Sequence, residues 1–276
     1  MVKKRVTVLS ILFLVIIGAA AAVYFMFLSS TTVSAQLHVE SGGVTINGNP
    51  VYDSVTLKKS DVIETGSNGK ATVILYESIV INLEGNTKIS IDNLVKSNPK
   101  VTQEKGETWN TFTKLSGVDS FTASSGNSIA SVRGTAFGLK ENYLLGGEGE
   151  VSYQINGQQF FVTSGKVIET AGSISSGRDA TSEEIQKIVA NMERAIEELR
   201  YLRNLEIDKN PKLYSIIKSQ TGLTDGELVQ YMLDVDEGKI DVDELAAQSP
   251  IKIGSLDKIV GITKAIQKIK TKISEL

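Results

Sequence analysis

An uncharged apolar run from Val6 to Leu28 is the strongest constraint on how this chain can fold. It follows a basic cluster, Lys3 to Arg5, and only Thr7, Ser10 and Gly18 interrupt it. A helix needs roughly 20 apolar residues to cross the hydrocarbon core, and flanking basic residues stay on the cytoplasmic side. The sequence therefore predicts one transmembrane helix, a signal anchor over residues 6–28, with residues 1–5 as a cytoplasmic stub.

A cleaved secretory signal is the alternative to this anchor. The segment Val33–Ala35 ends in two small residues and fits a cleavage site. The apolar run exceeds the usual h-region of about 7–15 residues, which favours the retained anchor. In both cases the rest of the chain lies outside the cytoplasm, either held at the cell membrane by a single pass or secreted.

Cysteine usage and net charge exclude several classes of function. The 276-residue chain has no cysteine and a formal net charge of −3. Disulfides, thiolate nucleophiles and cysteine zinc sites are therefore excluded. A near-neutral charge and few aromatic residues provide neither the basic face nor the stacking surface that nucleic-acid binding requires. The sequence predicts no nucleic-acid partner and a fold held together by packing.

Short segments rich in β-branched residues fill residues 36–177, and turn signals separate them at intervals of about 8–12 residues. The dipeptides Asn47-Gly48 and Asn156-Gly157 predict two hairpins, because both residue types tolerate positive φ. Such spacing is typical of a sandwich, a barrel or a solenoid-like fold. The sequence therefore predicts a mainly β domain over residues 36–177.

Helical periodicity replaces this pattern in residues 178–276, which predicts a C-terminal α-helical region. Thr181 and Glu184 fit a capping box at the start of a long helix, and Asn210-Pro211 ends it. Apolar residues recur at spacings of three and four in this helix and in a last helix from Leu256: Ile185, Ile188, Met192, Ala195, Leu199 and Leu202, then Ile259, Ile262, Ile266, Ile269 and Ile273.

Two shorter helices are predicted between these long ones, around residues 212–219 and 225–234. The apolar seams of the long helices allow two arrangements. In the first, the seams bury against each other or against the β domain, as a helical bundle. In the second, they mediate self-association between copies of the chain.

The segment Ser131–Phe137 reads Ser-Val-Arg-Gly-Thr-Ala-Phe. It resembles the VRGT-x-F signature of the FecR domain family. Other segments between residues 43 and 172 resemble further elements of this family, in the family's order: Asp61–Gly66, Lys70–Leu75, Asn86–Ile89, Gly149–Val151 and Ser164–Val167. The resemblance implies an all-β domain that lies outside the inner membrane.

In the best-known members of this family, the domain receives a signal from an outer-membrane transporter. One membrane helix passes the signal to a cytoplasmic segment that controls a sigma factor. This sequence departs from that pattern, because residues 1–5 are too few to form such a segment. The resemblance therefore implies an extracytoplasmic module that acts together with a protein partner.

Five residues of the signature are predicted to have structural roles: Val132, Arg133, Gly134, Thr135 and Phe137. Gly134 is predicted to permit a tight turn or a close backbone approach. Arg133 either pins a turn by donating to carbonyl oxygens or meets an anionic ligand. Thr135 and Phe137 are predicted to lie in the next strand, with Phe137 facing the core. No binding residue beyond the signature is assigned.

No catalytic residue, metal site or cofactor is predicted. His38, the only histidine, has no partner nearby in sequence and is typical of a strand or surface histidine. The acidic run Asp234–Glu244 is one residue out of register with a calcium loop. It predicts instead a solvated turn, in which Asp241 caps a helix and Glu244 completes the capping box.

These observations favour a non-catalytic binding or scaffolding module, which is tethered by its anchor and meets a protein partner outside the cytoplasm. The first alternative is a signal-transduction regulator that acts through a partner membrane protein. The second alternative is an enzyme that acts on cell-envelope polymers by a pair of carboxylates.

Overall fold

The structure is a computed structural model that describes residues 35–113, 117–171, 174–208, 215, 218–219, 222–248 and 254–276. The predicted membrane span and cytoplasmic stub lie outside these ranges, as does most of the short helix predicted at 212–219. None of the described helices combines the length and the apolar character that a membrane crossing needs. The anchor at residues 6–28 therefore stays a prediction.

The described residues contain eighteen strands, all of which precede residue 180. In chain order they are β1 (Ala35–Ser41), β2 (Val44–Ile46), β3 (Asn49–Val51), β4 (Val55–Thr56), β5 (Val62–Thr65), β6 (Lys70–Leu75), β7 (Ile79–Leu83), β8 (Lys88–Asn93), β9 (Lys100–Lys105), β10 (Glu107–Phe112), β11 (Phe121–Ser125), β12 (Ser128–Val132), β13 (Ala136–Lys140), β14 (Tyr143–Glu148), β15 (Glu150–Ile155), β16 (Gln158–Thr163), β17 (Lys166–Ala171) and β18 (Ile174–Asp179). The prediction of a mainly β fold is confirmed.

The strands form two nine-stranded sheets that pack face to face. The spatial order in sheet A is β18-β17-β14-β13-β10-β7-β6-β1-β4, and in sheet B it is β16-β15-β12-β11-β9-β8-β5-β2-β3. The chain thus advances along both sheets nearly in sequence order. The fold is a sandwich in cross-section and solenoid-like along its length, so it combines two of the predicted architectures.

Two tight turns set the register of hairpins in sheet B. Asn47 and Gly48 have φ of 53° and 79°, and Asn156 and Gly157 have φ of 50° and 77°. Positive φ at both central residues matches the right-handed twist of the flanking strands. These turns join β2 to β3 and β15 to β16, so both predicted hairpins are confirmed.

The main hydrophobic core lies between the two sheets, where alternate residues of the strands point inward. Ile63, Ile89 and Val101 come from sheet B, whereas Val73 and Ile81 come from sheet A. A β-branched side chain packs well on a pleated surface, which explains why these strands are rich in valine and isoleucine.

Four helices follow the strands in the described residues: α1 (Ser182–Asp208), α2 (Asp225–Asp236), α3 (Val242–Gln248) and α4 (Gly254–Glu275). A second core joins α1 and α4 to the outer face of sheet A. Both predicted seams contribute to it, together with side chains of the sheet: Ile188, Met192, Ala195, Leu199, Leu202, Ile262, Ile266 and Ile269 with Ile74, Val80, Trp109 and Leu145. The bundle interpretation is confirmed.

Capping boxes start two of the helices. At α1 the Thr181 amide donates to Glu184 Oε2 (2.8 Å), and the Glu184 amide donates to Thr181 Oγ1 (3.3 Å). Thr224 and Glu227 form the same reciprocal pair at α2. Each box satisfies backbone N–H groups that have no partner within the helix. The box predicted at Thr181 is confirmed.

Candidate functional site

The VRGT signature forms the crossing from sheet B to sheet A. Val132 ends β12 and is buried, and Phe137 lies in β13 within the core, where its ring centroid is 6.5 Å from that of Phe121. Gly134 has φ of 117°, a backbone conformation that side chains rarely adopt. Thr135 lies directly before β13, which begins at Ala136.

Arg133 extends from this crossing into solvent. Its guanidinium forms no hydrogen bond or ion pair with any described residue, so it donates to none of their carbonyl oxygens. The other arginines of the described ranges all bind carboxylates: Arg178, Arg194, Arg200 and Arg203. Arg133 therefore carries a positive charge and a planar set of donors that the described fold does not use.

The Thr135 hydroxyl is a second polar group without a partner among the described residues, beside Arg133. Its side chain is 2% exposed, and its Oγ1 has no hydrogen-bond partner among the described residues. A buried hydroxyl without a partner costs about 1–3 kcal/mol. Thr135 and Arg133 belong to the lining of one cleft.

The floor of this cleft is a row of short side chains across the outer face of sheet B. Phe161 of β16 pairs with Ser152 of β15, Ser152 is in register with Ser131 of β12, and Ser131 pairs with Thr122 of β11. Serine and threonine leave a trough of about 670 Å³ between taller neighbours. Phe161, which is 64% exposed, forms one wall of it.

The charges of the cleft suit an anionic partner that also accepts and donates hydrogen bonds. Arg133 is the cation of the lining, and Glu150 is its carboxylate. Thr122 Oγ1 donates to Asn98 Oδ1 (3.2 Å), which holds one hydroxyl of the floor in place. With a single carboxylate, the lining lacks the carboxylate pair that glycoside hydrolysis uses.

The opposite face of the sandwich is tied to α1 by charged groups. Arg194 of α1 donates to Glu84 Oε1 (2.8 Å) and to Glu40 Oε1 (3.0 Å from Nε). His38 of β1 has its Nδ1 3.0 Å from Glu198 Oε1 of α1. Burial raises the pKa of Glu198 above its ordinary value. Sheet A and α1 are thus joined by ion pairs as well as by packing.

A further cluster joins the first turn of α1 to the end of sheet A. Arg178 of β18 donates from both terminal nitrogens to Glu184 (2.8 Å each), and the Tyr143 hydroxyl donates to Glu184 Oε1 (2.9 Å). The hydrogen bonds from Arg178 hold the pKa of Glu184 well below its usual range. This carboxylate therefore serves a helix cap and an ion pair together.

The acidic run Asp234–Glu244 forms ion pairs and a helix cap. Asp236 is buried and binds Arg203 and Arg200. Asp241 accepts from the Asp243 amide (2.8 Å), so it caps α3 as predicted. Within the described residues, no group of three or more metal-ligating side chains is gathered in a way that could hold an ion.

Sequence reasoning singled out Arg133 and Thr135 as signature residues with structural roles, and it included Glu150 only in the family segment Gly149–Val151. It did not single out Ser152 or Phe161. One local pattern contained part of this information. A two-residue turn at Asn156-Gly157 fixes the register of its hairpin and places Ser152 opposite Phe161. The approach of β12 to β15 has no such local pattern, because β13 and β14 intervene in the other sheet.

Comparisons with known proteins find similarity to solved structures and to one family model. No curated protein matches the chain. Two crystal structures of a candidate anti-sigma factor from Parabacteroides distasonis ATCC 8503 share 14% identity with it, at TM-scores of 0.41 and 0.40. They align with 45% and 49% of this chain, and the alignments span 62% and 73% of theirs. The first alignment thus covers less than two thirds of its match.

The family model described as "FecR protein" matches residues 61–167. This range runs from the start of β5 to β17 and includes the VRGT signature and all strands of the cleft floor. The resemblance that the sequence motifs indicated is therefore shown over residues 61–167, the part of this chain that is similar to the FecR protein family.

Proposed function

We propose that this protein is a signal-transduction regulator that acts through a partner protein and does not catalyse a reaction. The FecR family supports a regulatory role, because its best-known members relay signals across a membrane. We propose that residues 6–28 anchor the chain by a single pass. The β domain (36–177) and the helical region (178–276) then lie outside the cytoplasm, where they meet the partner.

One observation carries this proposal: the signature arginine, Arg133, is exposed and unpaired among the described residues, in a cleft that also contains the buried hydroxyl of Thr135. An arginine that only stabilised the crossing would donate to nearby carbonyl oxygens. An arginine that binds a partner protein has N–H donors that no group of its own fold uses. We therefore infer that Arg133 binds an anionic group of the partner protein.

The helices support the same division of roles. They pack on sheet A, whereas the cleft lies on the outer face of sheet B. A partner at the cleft and a second contact at the helices would then meet different surfaces. This arrangement suits a regulator that passes a signal to a neighbouring membrane protein.

A photocrosslinking experiment tests the proposed site in intact cells. A benzoylphenylalanine at Ser152 of the full chain, on the floor of the cleft, is expected to capture one defined protein. The same group at Thr45, far along the same sheet, serves as the position control. Arg133→Ala is expected to abolish the capture, whereas Lys100→Ala, which removes another exposed charge from this sheet, is expected to retain it.

Thermal melting decides between the two roles considered for Arg133. We expect Arg133→Ala to melt within about 2 °C of the parent, because exposed residues away from structural contacts change stability little. A clearly lower Tm together with retained capture would show that the arginine is structural, and the proposal would fail.

Protease added to intact cells tests the location, since it is expected to digest the β domain.

A further inference from the structure

The two sheets have four edge strands, and three of them resist pairing with another chain. Exposed edges add foreign strands unless they are short, charged or interrupted by proline. β3 has three residues and includes Pro50, and β4 has two residues. β18 carries Arg178 and Asp179. Each of these three edges therefore has a recognisable protection.

β16 lacks such protection. It is six residues long, Gln-Gln-Phe-Phe-Val-Thr, and has neither a charge nor a proline. It is the last strand of sheet B and pairs with β15 on one side only. Phe161 at its centre is 64% exposed, the most exposed phenylalanine of the described residues. An uncharged edge with an exposed phenylalanine and without proline is suited to adding a strand from another protein.

A groove of about 430 Å³ lies beside this edge, between β16 and the last two strands of sheet A. Val162 and Ile168, both members of the main core, form part of its lining. Gly177 of β18 lies directly opposite Ile168 and has no side chain to cover it. The groove therefore opens onto apolar core residues at the end of the sandwich.

The charges around this groove are already paired. Lys166 binds Asp179, and Arg178 binds Glu184 and Glu169. An occupant therefore meets apolar side chains, backbone groups and neutralised charges. This environment favours an uncharged segment over an acidic or basic one, because a buried charge without a partner is costly.

We propose that the groove accepts an extended, uncharged segment of a partner protein, which hydrogen-bonds to β16 as a further strand of sheet B. Successive side chains of a strand point to opposite faces. One set would then enter the groove over Val162, Ile168 and Gly177, and the other set would lie beside Phe161. Backbone hydrogen bonds supply affinity, and the groove selects apolar residues at alternate positions.

A peptide segment fits this site better than a second copy of the chain. A strand of six residues spans only about 20 Å. A pair of such strands alone buries much less than the ~1,200–2,000 Å² of a stable protein interface. Phe161 is shared with the Arg133 cleft on the outer face of the same sheet, whereas Val162, Ile168 and Gly177 line the groove alone, so Gly177→Val tests the groove separately from the cleft.

The test uses the full chain and a phage-displayed library of random ten-residue peptides as the probe. We expect the selected peptides to alternate apolar and polar residues and to slow amide hydrogen exchange in residues 158–163. Gly177→Val fills the groove without requiring a positive φ, and Phe161→Lys places a charge at the edge. Each variant is expected to weaken binding by about tenfold or more.

Two variants act as matched controls. Ile129→Lys adds a charge to the same sheet face at a central strand, and Arg133→Ala alters the neighbouring cleft; both are expected to retain peptide affinity within about twofold. The inference fails if no peptide is selected, if exchange slows elsewhere, or if folded Gly177→Val binds normally. It also fails if the chain alone sediments as a dimer that Phe161→Lys dissociates.

Discussion

His38 of β1 and Glu198 of α1 are 160 residues apart in sequence, and their side chains approach to 3.0 Å. The ring of Tyr201 stacks on the imidazole, with the ring centroids 5.3 Å apart. Glu40 and Arg194 also face this carboxylate. The first strand of the described fold and its longest helix are therefore joined at one buried, titratable site.

Glu198→Gln is expected to change how stability depends on pH. Burial raises the pKa of Glu198, so the folded protein holds this proton more tightly than the unfolded chain does. The wild type therefore loses stability relative to the variant as the pH rises above the unfolded pKa of about 4.3. Urea denaturation between about pH 4 and 6 measures the difference. A difference that moved in the opposite direction would contradict the assignment.

Glu184→Gln is expected to show the opposite pH dependence. The folded pKa of Glu184 is depressed, so its stabilising contribution is present above about pH 4.3 and is lost as the pH falls through the folded pKa. At pH 7 we expect a loss of about 1.5–3 kcal/mol, because charge-assisted hydrogen bonds from Arg178 are weakened. Glu183→Gln is the control, since that side chain is 80% exposed in the same turn. Equal losses for both variants would refute the prediction.

Asp236→Asn is expected to destabilise the helical region strongly. Asp236 and Arg203 are 1% and 4% exposed, and Arg200 also donates to the carboxylate (2.9 Å). Removing one partner leaves a buried charge uncompensated, which costs about 3–5 kcal/mol. Chemical denaturation of Asp236→Asn measures this cost. Asp234→Asn on the same helix removes an exposed pair with Lys239 and is expected to cost less than about 1 kcal/mol.

Gly138→Ala tests how closely the Trp109 ring packs against the backbone of Gly138 in the neighbouring strand. A Cβ at this position would lie 2.8 Å from Cζ3 of the Trp109 ring, which is buried beneath α1. The rigid ring must shift, and overpacking of this kind costs about 1–3 kcal/mol. Gly43→Ala is the matched control, because no atom lies within 4 Å of its added Cβ. A normal Tm for Gly138→Ala would show that the ring moves freely.

Local sequence patterns predicted those parts of the fold that local chemistry determines. The Asn-Gly turns, the capping box at Thr181 and the seam of α1 each depend on residues within a few positions of each other. The pairing of His38 with Glu198, and the placement of α1 on sheet A rather than sheet B, depend on contacts between distant segments. Periodicity shows that a helix has an apolar side, but it does not show which surface that side covers.

The candidate site shows the same division. Arg133 and Thr135 were found because they belong to a motif, and Ser152 could have been placed opposite Phe161 from the turn between their strands. The row across the sheet also needs β12 to lie beside β15, which the chain reaches only after a hairpin in the other sheet. Strand order of this kind is decided by packing of the whole sandwich.

The nearly sequential order of strands in both sheets has a consequence for how the protein is made. Each new hairpin packs beside one that precedes it in the chain, and α1 and α4 arrive after the sheet that they cover. During synthesis from the N-terminus, the strands can therefore pair in sequence order, and the helices then cover the outer face of sheet A. Such an assembly needs few contacts with segments not yet synthesised, which limits the time that unpaired β edges remain open to aggregation.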